Sequence, residues 1–471
     1  MSDNLTAEAL SYIRKESLDI FNRLHSVEED VAFVRHVHEA YPDIPLLPNL
    51  RCGAWYTEPK IATDMPAYFK STDGHNNNWS FNLRRANLHL LPLIVERNGV
   101  ILADSTRSGK RIPDALSKTV PIWCAVINRA MLIRYPDFDH VEWDTHLYTP
   151  PSTVSKLEHS QIEQRLDGWA KSLAASSFHL PQLPFPLRPL WITPATSAFP
   201  GLPDPQDGKD CFLPVICISA SKQIDQGVER RLSGFSYVQG SGDDHELWGK
   251  GLNPQLFWEH HDELLKADRA ELPLIVEKIV SLNKSLPGCR EGLVPPTPIV
   301  KVARRLLITT TANVPDAVAP EDYNLGPVDY CVLTSTTLPD QASSEKRLYL
   351  PVVPGKKGQA DFLDSILPRS VEFIKSRLAL SMNVCVACDS GKDLSVGVAL
   401  AALQLFFSDE GMPTSTIQGL HPAPCADKTS IRTRLEWIIA SRPEANPSRT
   451  TLKRVNEFLL TSPSFRLSRP T

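Results

Sequence analysis

Apolar and polar residues follow patterns along the N-terminal half of the chain that predict both helices and short buried strands. From Leu10 to Leu24, apolar side chains recur at the spacing of an amphipathic helix. The apolar runs at 99–105 (GVILADS) and 212–221 (FLPVICISAS) are each typical of a buried strand. Longer apolar or amphipathic stretches at 120–135 and 155–176 predict two further helices.

The C-terminal part of the chain has a compact order of strands and helices. Strands are predicted at 328–334 and 347–353, and a helix at 365–380. The apolar run NVCVAC at 383–388 predicts a strand that leads through a tight loop into a long apolar helix at 394–407. A helix, a strand, a loop and a helix in this order match the core of a dual-specificity phosphatase.

A proline-punctuated stretch, ANVPDAVAPEDYNLGP, separates these two parts of the chain. We therefore predict an N-terminal domain at 1–311 and a C-terminal domain at 325–471. A second proline-rich connector at 181–210 predicts a subdomain seam within the first domain. A length of 471 residues is ample for two or three domains.

The formal net charge of −4 is unevenly distributed along the chain. From Lys428 to the C-terminus, nine Lys and Arg residues stand against three Glu, which gives +6 and leaves −10 for the rest. A basic segment attached to an acidic body is compatible with a nucleic-acid partner. Ordinary solvated helix faces would produce the same pattern, so both interpretations stay open.

The nine cysteines are scattered, and several lie inside apolar runs, which predicts reduced thiols in an intracellular protein. Cys385 and Cys388 have redox-motif spacing, but on a strand their side chains do not meet as they do at a helix start. No second ligand pair stands at zinc-finger spacing. No signal peptide opens the chain, and no apolar stretch approaches the length of a membrane span. We expect a soluble, cytoplasmic protein, with no protein partner indicated.

The loop in CVACDSGKDLSVG, residues 385–397, resembles two known phosphate loops and completes neither. A strand that turns directly into a helix presents free amides and the positive end of the helix dipole, which suits a phosphate. The Walker pattern is absent, because Gly391-Lys392 lacks both an earlier glycine and a following Ser or Thr. In the cysteine-phosphatase pattern, Cys388 is present but Leu394 stands where arginine is required. We predict a loop that binds phosphate without hydrolysing it.

A partial echo of this loop at 99–116, GVILADSTRSGKRIPDAL, fits a second pattern. Type I phosphoribosyltransferases hold phosphoribosyl pyrophosphate (PRPP) with an apolar strand, two acids, three residues and Thr-Gly. Here Ala103 replaces the first acid, Asp104 is the second, and Ser108-Gly109 follow. An acid can bind ribose hydroxyls while turn amides bind the phosphate. The alternative is that Asp104 caps a turn beside solvated basic residues. The candidate donor-binding residues here are Ser105, Arg107, Ser108, Gly109 and Lys110.

Two other stretches concentrate polar groups. Residues 73–89 mix acids, histidines, asparagines and arginines with aromatic residues, which suits a site for several phosphates and a sugar. Satisfied structural histidines in a loop are the alternative. Residues 243–246 place two Asp, a His and a Glu between glycines, where they can hold Mg²⁺ or supply a general base. Such acidic turns are also common without function. The candidates are Asp73, His75, Arg84, Arg85, Asp243, Asp244 and His245.

Together these motifs resemble one family, the initiator tRNA 2′-O-ribosyl phosphate transferases of fungi and plants. The motifs cover most of the chain between residues 51 and 460, and they are RCGAWY, FKSTDGHNNNWSFNLRRANLHL, GVILADSTRSGKRIPDALSKTVPIWCAVINRA, GFSYVQGSGDDHELWGKGLNP, CVACDSGKDLSVGVALA and EANPSRTTLKRVNEFL. The resemblance implies an α/β fold, with a family-specific N-terminal domain and a C-terminal domain like a dual-specificity phosphatase.

The resemblance also implies a reaction. It is the transfer of 5-phosphoribosyl from PRPP to the 2′-hydroxyl of an adenosine in the T stem of initiator methionine tRNA (position 64), which excludes that tRNA from elongation. Mg²⁺ and cationic side chains are expected to stabilise the departing diphosphate. The candidate catalytic residues are Asp104, Asp389, Asp393, Asp244 and His245. The candidate metal ligands are Asp104, Asp243 and Asp244.

Under the same resemblance, the loop after Cys388 binds a phosphate of PRPP or of the tRNA, and Cys388 itself is expected to be dispensable. The loop residues predicted to bind are Ser390, Gly391, Lys392 and Ser395. The tRNA backbone is expected to bind basic residues near the C-terminus, with a marked salt dependence. These residues are Arg432, Arg434, Arg449, Lys453 and Arg454.

Two other functions remain open from the sequence. The C-terminal domain would be an active phosphatase if Cys388 turned over phosphate esters without an arginine. Alternatively, the chain would be a phosphatase-like tRNA-binding protein without transferase activity if both loops were degenerate. Tight tRNA binding that is indifferent to PRPP and Mg²⁺ would favour the latter.

Overall fold

The computed structural model describes residues 2–63, 65–107, 109–136, 143–203, 211–224, 228–285, 295–315, 327–335, 344–353, 355–417 and 425–460. The chain divides into two compact units. The first unit comprises residues 1–82, 86–175 and 180–289, and the second comprises residues 83–85, 176–179 and 290–471.

The first unit contains ten α-helices and six strands within the described residues. The helices are α1 (Ser2–Leu18), α2 (Ile20–Ala40), α3 (Leu50–Gly53), α4 (Leu90–Glu96), α5 (Val120–Arg134), α6 (Lys156–Ala174), α7 (His245–Trp248), α8 (Pro254–Glu259), α9 (His261–Lys266) and α10 (Leu272–Ser285). The strands are β1 (Leu46–Pro48), β2 (Val100–Asp104), β3 (Leu187–Ile192), β4 (Leu213–Ser219), β5 (Glu229–Arg230) and β6 (Ser236–Tyr237).

Four of these strands form a parallel sheet in the order β1-β2-β4-β3, while β5 and β6 form a separate antiparallel pair. Every residue of β2 and β4 is buried, as expected for central strands covered on both faces. The two strands predicted at 99–105 and 212–221 are therefore confirmed. The proline-rich stretch 181–210, where a subdomain seam is predicted, instead supplies β3. Its Pro189 is tolerated because β3 lies at the sheet edge.

The helices predicted at 120–135 and 155–176 are confirmed as α5 and α6. A π-helical turn, Ala115–Thr119, runs directly into α5. Within the described residues, one helical stretch, Ala115–Arg134, is long and apolar enough to span a membrane, and 83% of its apolar window is buried inside the protein. This burial identifies it as the central helix packed on the sheet, because a helix that is apolar all round must be covered.

The second unit contains five strands and five α-helices within the described residues. The strands are β7 (Thr297–Pro298), β8 (Leu306–Thr310), β9 (Val328–Thr334), β10 (Arg347–Pro351) and β11 (Asn383–Cys388). The helices are α11 (Gly355–Asp361), α12 (Leu367–Ala379), α13 (Leu394–Phe406), α14 (Lys428–Ser441) and α15 (Arg449–Leu460).

The sheet of the second unit has the order β10-β9-β11-β8-β7, and it is parallel except for β7. The predicted succession of helix, strand, loop and apolar helix is confirmed as α12, β11, the loop at 389–393 and α13. The stretch 304–311, predicted as the end of the N-terminal domain, differs from expectation. It forms β8, which pairs with β11 and so belongs to the second sheet.

Candidate functional site

The carboxyl ends of the parallel strands in the first unit bring polar residues together at one edge of the sheet. Asn49 follows β1, and Asp104 is the last residue of β2. Asn49 Nδ2 donates to Asp104 Oδ2 at 2.7 Å, and the Ser105 amide donates to Asp104 Oδ1 at 2.8 Å. Open parallel sheets bind their ligands at this edge. Asp104 is therefore the centre of the candidate site.

The Asp104 carboxyl group has an unusual acidity. The residue is only 5% exposed. Burial raises its pKa to about 7, hydrogen bonds from Asn49 and Ser105 oppose that rise, and the negative charge of Asp243 adds to it. A carboxylate whose pKa lies near the working pH is well matched to accepting a proton in the transition state. Burial also raises the pKa of Asp244, another of the predicted general bases, but Asp104 is the one that ends a central strand of the sheet.

A buried polar network beside the end of β2 fixes the segments that surround the site. Ser105 Oγ lies 2.5 Å from Ser221 Oγ, and the Ser221 and Tyr237 hydroxyls donate to the two carboxyl oxygens of Asp30. The Gly240 amide donates to Ser221 Oγ at 3.2 Å. Burial raises the pKa of Asp30 well above its ordinary value, although these hydrogen bonds oppose the rise. The sequence analysis did not identify this network. The one indication of it in the sequence is an acidic residue, Asp30, on the apolar face of α2.

Arg107 connects the loop after β2 to the acidic turn. Its Nε lies 3.2 Å from Asp243 Oδ2, and its Nη2 binds Asp244 Oδ1. Among the residues that the structure describes, no group of three or more His, Cys, Asp or Glu side chains is arranged to hold a metal ion. The predicted metal ligands Asp104, Asp243 and Asp244 are thus not assembled into a site, because the last two bind an arginine instead.

The turn that precedes the acidic pair approaches the loop after β2 very closely. Gly240 has φ +67°, and a Cβ at this position would lie 2.4 Å from the backbone oxygen of Thr106. A side chain here would be strained by the backbone and would also collide with a main-chain atom. Glycine at 240 therefore allows the two segments to meet.

His245, the other predicted base in this turn, lies in aromatic packing. Its side chain is 16% exposed, and its ring centroid lies 5.5 Å from that of Trp55. Trp55 also packs on Trp248 at 5.4 Å. His245 Nδ1 lies 3.8 Å from Glu246 Oε2. The aromatic packing fixes the ring of His245, its buried Nδ1 has no hydrogen-bond partner among the described residues, and its role as a base stays a prediction.

The other residues of the N-terminal sequence that are predicted to bind the donor do not all lie in one place. His75, Gly109 and Lys110 line a cavity of about 700 Å³ in the first unit. Asp73 is 8% exposed, and its backbone oxygen accepts a hydrogen bond from the chain at residue 80. Ser108 lies outside the described residues.

Arg84 and Arg85 are part of a short 3₁₀ helix, Leu83–Arg85, that belongs to the second compact unit. Arg84 Nη2 donates to the backbone oxygen of Pro447 at 3.4 Å. The described residues that line the cavity with His75 and Lys110 do not include these two arginines, whose predicted role stays a prediction.

The loop between β11 and α13 in the second unit has the form of a phosphate cradle. Cys388 is 3% exposed, and its Sγ lies 3.0 Å from Ser395 Oγ and 3.8 Å from Ser390 Oγ. Gly391 has φ +62° and donates its amide to the Cys388 carbonyl at 3.0 Å. Arg442, which sequence reasoning did not assign, donates from Nε to the Gly391 carbonyl at 2.9 Å. This arginine supports the loop backbone, so it does not replace the missing phosphatase arginine.

The two acids of this loop are engaged in structural hydrogen bonds. Asp389 accepts from the Ser335 hydroxyl at 2.7 Å and from Thr311 Oγ1 at 3.2 Å. Asp393 Oδ1 accepts from the Ser448 amide at 2.8 Å. Lys392 between them is exposed. The contacts of Asp389 and Asp393 thus hold the loop in place, while the exposed Lys392 can bind an anion.

Replacing Cys388 with serine should leave the transferase activity that the family resemblance implies within about twofold of the unaltered protein. The loop has no arginine to clamp a phosphoryl transition state, so no phosphocysteine is expected. Transfer rates and turnover of an aryl phosphate should be measured for both proteins, with Cys425→Ser as a control because Cys425 is exposed. Aryl phosphate turnover that disappears in Cys388→Ser would contradict this expectation and favour a phosphatase.

The predicted RNA-binding residues divide by exposure. Arg449 and Lys453 are exposed on α15. Arg432 Nε lies 3.2 Å from Glu436 Oε1, and Arg454 Nη1 lies 2.7 Å from Glu457 Oε2. Arg434 differs from the prediction. It is fully buried, where it binds Asp409 and the backbone oxygens of Leu403, Phe407 and Ser430, so an RNA backbone does not reach it.

Replacing Arg434 with methionine should lower the free energy of unfolding by about 2–4 kcal/mol, because buried carbonyls lose their donor. Arg449→Met should change stability by about 0.5 kcal/mol or less and should instead weaken the tRNA binding that the family resemblance implies. Denaturant unfolding and tRNA titration of both variants separate the two roles. Unchanged stability in Arg434→Met would contradict its structural assignment.

Comparison with known proteins identifies the family. The family model described as the Rit1 N-terminal domain matches residues 13–281, and that described as the Rit1 DUSP-like domain matches residues 346–459. The chain is 33% identical over 494 residues to the tRNA A64-2′-O-ribosylphosphate transferase of Saccharomyces cerevisiae, covering 95% of this chain and 93% of that protein. It is 33% identical over 471 residues to an uncharacterized protein of Schizosaccharomyces pombe, covering 97% of each.

Solved structures are also similar to part of the chain. A single-residue variant of human DUSP28 is 16% identical, with a TM-score of 0.26, and the match covers 37% of this chain and 99% of that one. A leucine-rich-repeat and phosphatase-domain protein of Entamoeba histolytica is 13% identical, with a TM-score of 0.24, covering 37% of this chain and 96% of that one.

The fold and the site define an α/β protein that carries a phosphatase-like C-terminal domain. Because a family model matches more than half of the chain and a relative is 33% identical over 95% of it, the chain belongs to the Rit1 family. The resemblance and the fold class predicted from the sequence are thereby confirmed.

Proposed function

We propose that this protein transfers 5-phosphoribosyl from PRPP to the 2′-hydroxyl of an adenosine in the T stem of initiator methionine tRNA, in the cytoplasm. The relative in Saccharomyces cerevisiae, which is matched over nearly its full length, is named a tRNA A64-2′-O-ribosylphosphate transferase. The observation that carries the proposal is Asp104, a buried carboxyl group with a pKa of about 7 at the carboxyl edge of the parallel sheet.

The proposed reaction is a displacement at ribose C1 of the donor. The 2′-oxygen forms a bond to C1 while the bond from C1 to the diphosphate oxygen breaks, and the bonding electron pair leaves with the diphosphate. Asp104 accepts the proton of the 2′-hydroxyl as the new bond forms. General-base help of this kind contributes on the order of 10²–10⁴ in rate.

Mg²⁺ is part of the proposal, although the predicted carboxylates do not form a ligand set. Mg²⁺ commonly binds substrate phosphates with only one or two protein carboxylates and keeps several waters. We propose that the phosphate oxygens of the donor would hold Mg²⁺, which would supply positive charge beside the departing diphosphate.

The tRNA is proposed to bind through its phosphate backbone to exposed basic residues, including Lys392 and the two exposed cations of α15, Arg449 and Lys453. Each neutralised phosphate releases counterions, so affinity should fall steeply as salt rises.

The test is incorporation of label from ribose-labelled PRPP into purified initiator and elongator methionine tRNAs in the presence of Mg²⁺. The proposal predicts label in the initiator tRNA alone. Label in both tRNAs would refute initiator specificity. Binding of initiator tRNA without label in either would favour a phosphatase-like tRNA-binding protein without transferase activity.

A further inference from the structure

A basic cavity in the first unit is lined by further charged residues besides the three that the sequence predicts to bind the donor. The cavity has a volume of about 700 Å³, within the range of small-molecule sites. Besides His75, Gly109 and Lys110, its wall includes Arg111, Asp114 and Lys118. These additional residues lie on the segment that connects β2 to α5.

The backbone of this segment is fixed so that its side chains line the cavity. Gln239 Nε2 donates to the Lys110 carbonyl at 2.6 Å, and Ser219 Oγ donates to the Arg111 carbonyl at 2.9 Å. A Cβ at Gly74 would lie 2.6 Å from the backbone oxygen of Asp114. Glycine at 74 therefore lets the segment carrying His75 pack directly against the cavity wall.

Asp114 organises the cationic groups of the cavity. Its carboxylate binds Lys110 Nζ at 2.6 Å and Lys118 Nζ at 2.9 Å, and it lies 3.8 Å from His75 Nε2. Burial alone would raise the pKa of Asp114, but the hydrogen bonds from the two lysines hold it below its ordinary value. The carboxylate is thus an anchor that stays ionised and holds two ammonium groups in place.

These groups retain capacity for an anion. Each lysine ammonium has three donors, and within the described residues the Lys110 ammonium donates one hydrogen bond, to Asp114. Lys118 uses a second contact to Glu158 Oε1 at 3.2 Å, which leaves one donor. Three cations, Lys110, Arg111 and Lys118, stand against two carboxylates, Asp114 in the wall and Glu158 bound to Lys118. The cavity is net positive.

We propose that this cavity binds the phosphate groups of the phosphoribosyl donor, with Arg111 and Lys118 acting as binding residues together with Lys110. The proposal rests on the proposed function and deepens it by assigning the donor's phosphates to one site. Lys118 has a side chain only 8% exposed, which suits a small ligand that enters the cavity better than the backbone of a folded RNA. Charge-assisted hydrogen bonds to phosphate are the strongest that these side chains make.

The experiment measures affinity by calorimetry on the full chain and on Lys110→Met and Arg111→Met. Four probes are used, namely PRPP, inorganic pyrophosphate, ribose 5-phosphate and initiator tRNA. Lys171→Met is the matched control, because Lys171 is exposed on α6 and lies about 20 Å along that helix from Glu158. Lys118 is left unaltered because it is buried and doubly paired, and thermal unfolding verifies that the variants are folded.

We expect PRPP to bind each variant at least about tenfold more weakly, with tRNA affinity unchanged and the control indistinguishable from the original chain. If pyrophosphate also binds the variants more weakly, the cavity binds the diphosphate of PRPP. If ribose 5-phosphate binds the variants more weakly, the cavity binds the 5-phosphate. Equal PRPP affinity in all proteins, or a loss confined to tRNA, overturns the inference. The proposed function is tested separately, by label transfer with the original chain. The result of that transfer does not depend on which cavity binds the phosphates.

Discussion

Replacing Asp104 with asparagine should lower the rate of phosphoribosyl transfer by about 10²–10⁴-fold, the usual contribution of a positioned general base. Asparagine keeps the size of the side chain and an acceptor for Asn49, but it does not take a proton. The measurement is single-turnover transfer of label from PRPP to initiator tRNA, with tRNA and PRPP affinities determined in parallel.

The pH dependence of the original protein adds a second test of the same residue. The Asp104 pKa is raised to about 7 by burial, so the ionised base is depleted below that value. The transfer rate should therefore rise with pH up to about 7 and level off above it, and the rise should be absent in Asp104→Asn. Asp262→Asn, at an exposed position on α9, is the control and should behave as the original chain. A transfer rate in Asp104→Asn within about threefold of the original would remove Asp104 as the base.

Gly240→Ala should lower transfer by roughly 100-fold, through displacement of the loop that follows Asp104. The new methyl group would lie 2.4 Å from the Thr106 carbonyl oxygen, and neither segment yields without moving the backbone. A shift of about 1 Å in a catalytic group commonly costs on the order of 10²-fold in rate. Transfer kinetics should be compared with the free energy of unfolding, because the rate is expected to fall further than stability.

Gly234→Ala is the matched control for this prediction. Gly234 has φ +92°, so alanine is strained there as well, but a Cβ at 234 meets no atom within 4 Å. It should lose stability of about 1 kcal/mol and retain transfer. If both variants lost transfer equally, backbone strain alone would explain the effect and the close approach at Gly240 would carry no function.

The sequence predicts the buried elements of this fold well, and the reason is physical. The strands β2, β4 and β11 and the helices α5 and α13 are apolar almost throughout, so their composition alone marks them as covered elements. The phosphatase-like order of elements in the second unit follows from the same runs.

Pairing over long distances is what the sequence does not predict. β8 lies before the proline-punctuated stretch at 312–327, yet it pairs in parallel with β11, whose paired residues lie 78 positions later. Nothing local in RRLLITTT distinguishes a strand of one sheet from a strand of the other. β3 is also difficult to predict from the sequence, because Pro189 disfavours a central strand but is accepted at a sheet edge.

In the candidate site, side-chain contacts between distant parts of the sequence are equally hard to predict. Spacing after β2 indicates Asp104 and Lys110, since both belong to one local motif. It does not reveal that Arg107 binds Asp243 and Asp244, which follow more than 130 residues later. A turn rich in acids therefore predicts a metal site from sequence, whereas the fold supplies an arginine for the same carboxylates.

Transfer to the 2′-hydroxyl is tested most directly with two initiator tRNAs that differ in one oxygen. One carries adenosine at position 64, the position in the name of the yeast relative, and the other carries 2′-deoxyadenosine there. Both are incubated with the full chain, ribose-labelled PRPP and Mg²⁺. We expect label in the first tRNA and none in the second. Equal label in both, or none in either under conditions where both bind, would contradict this expectation.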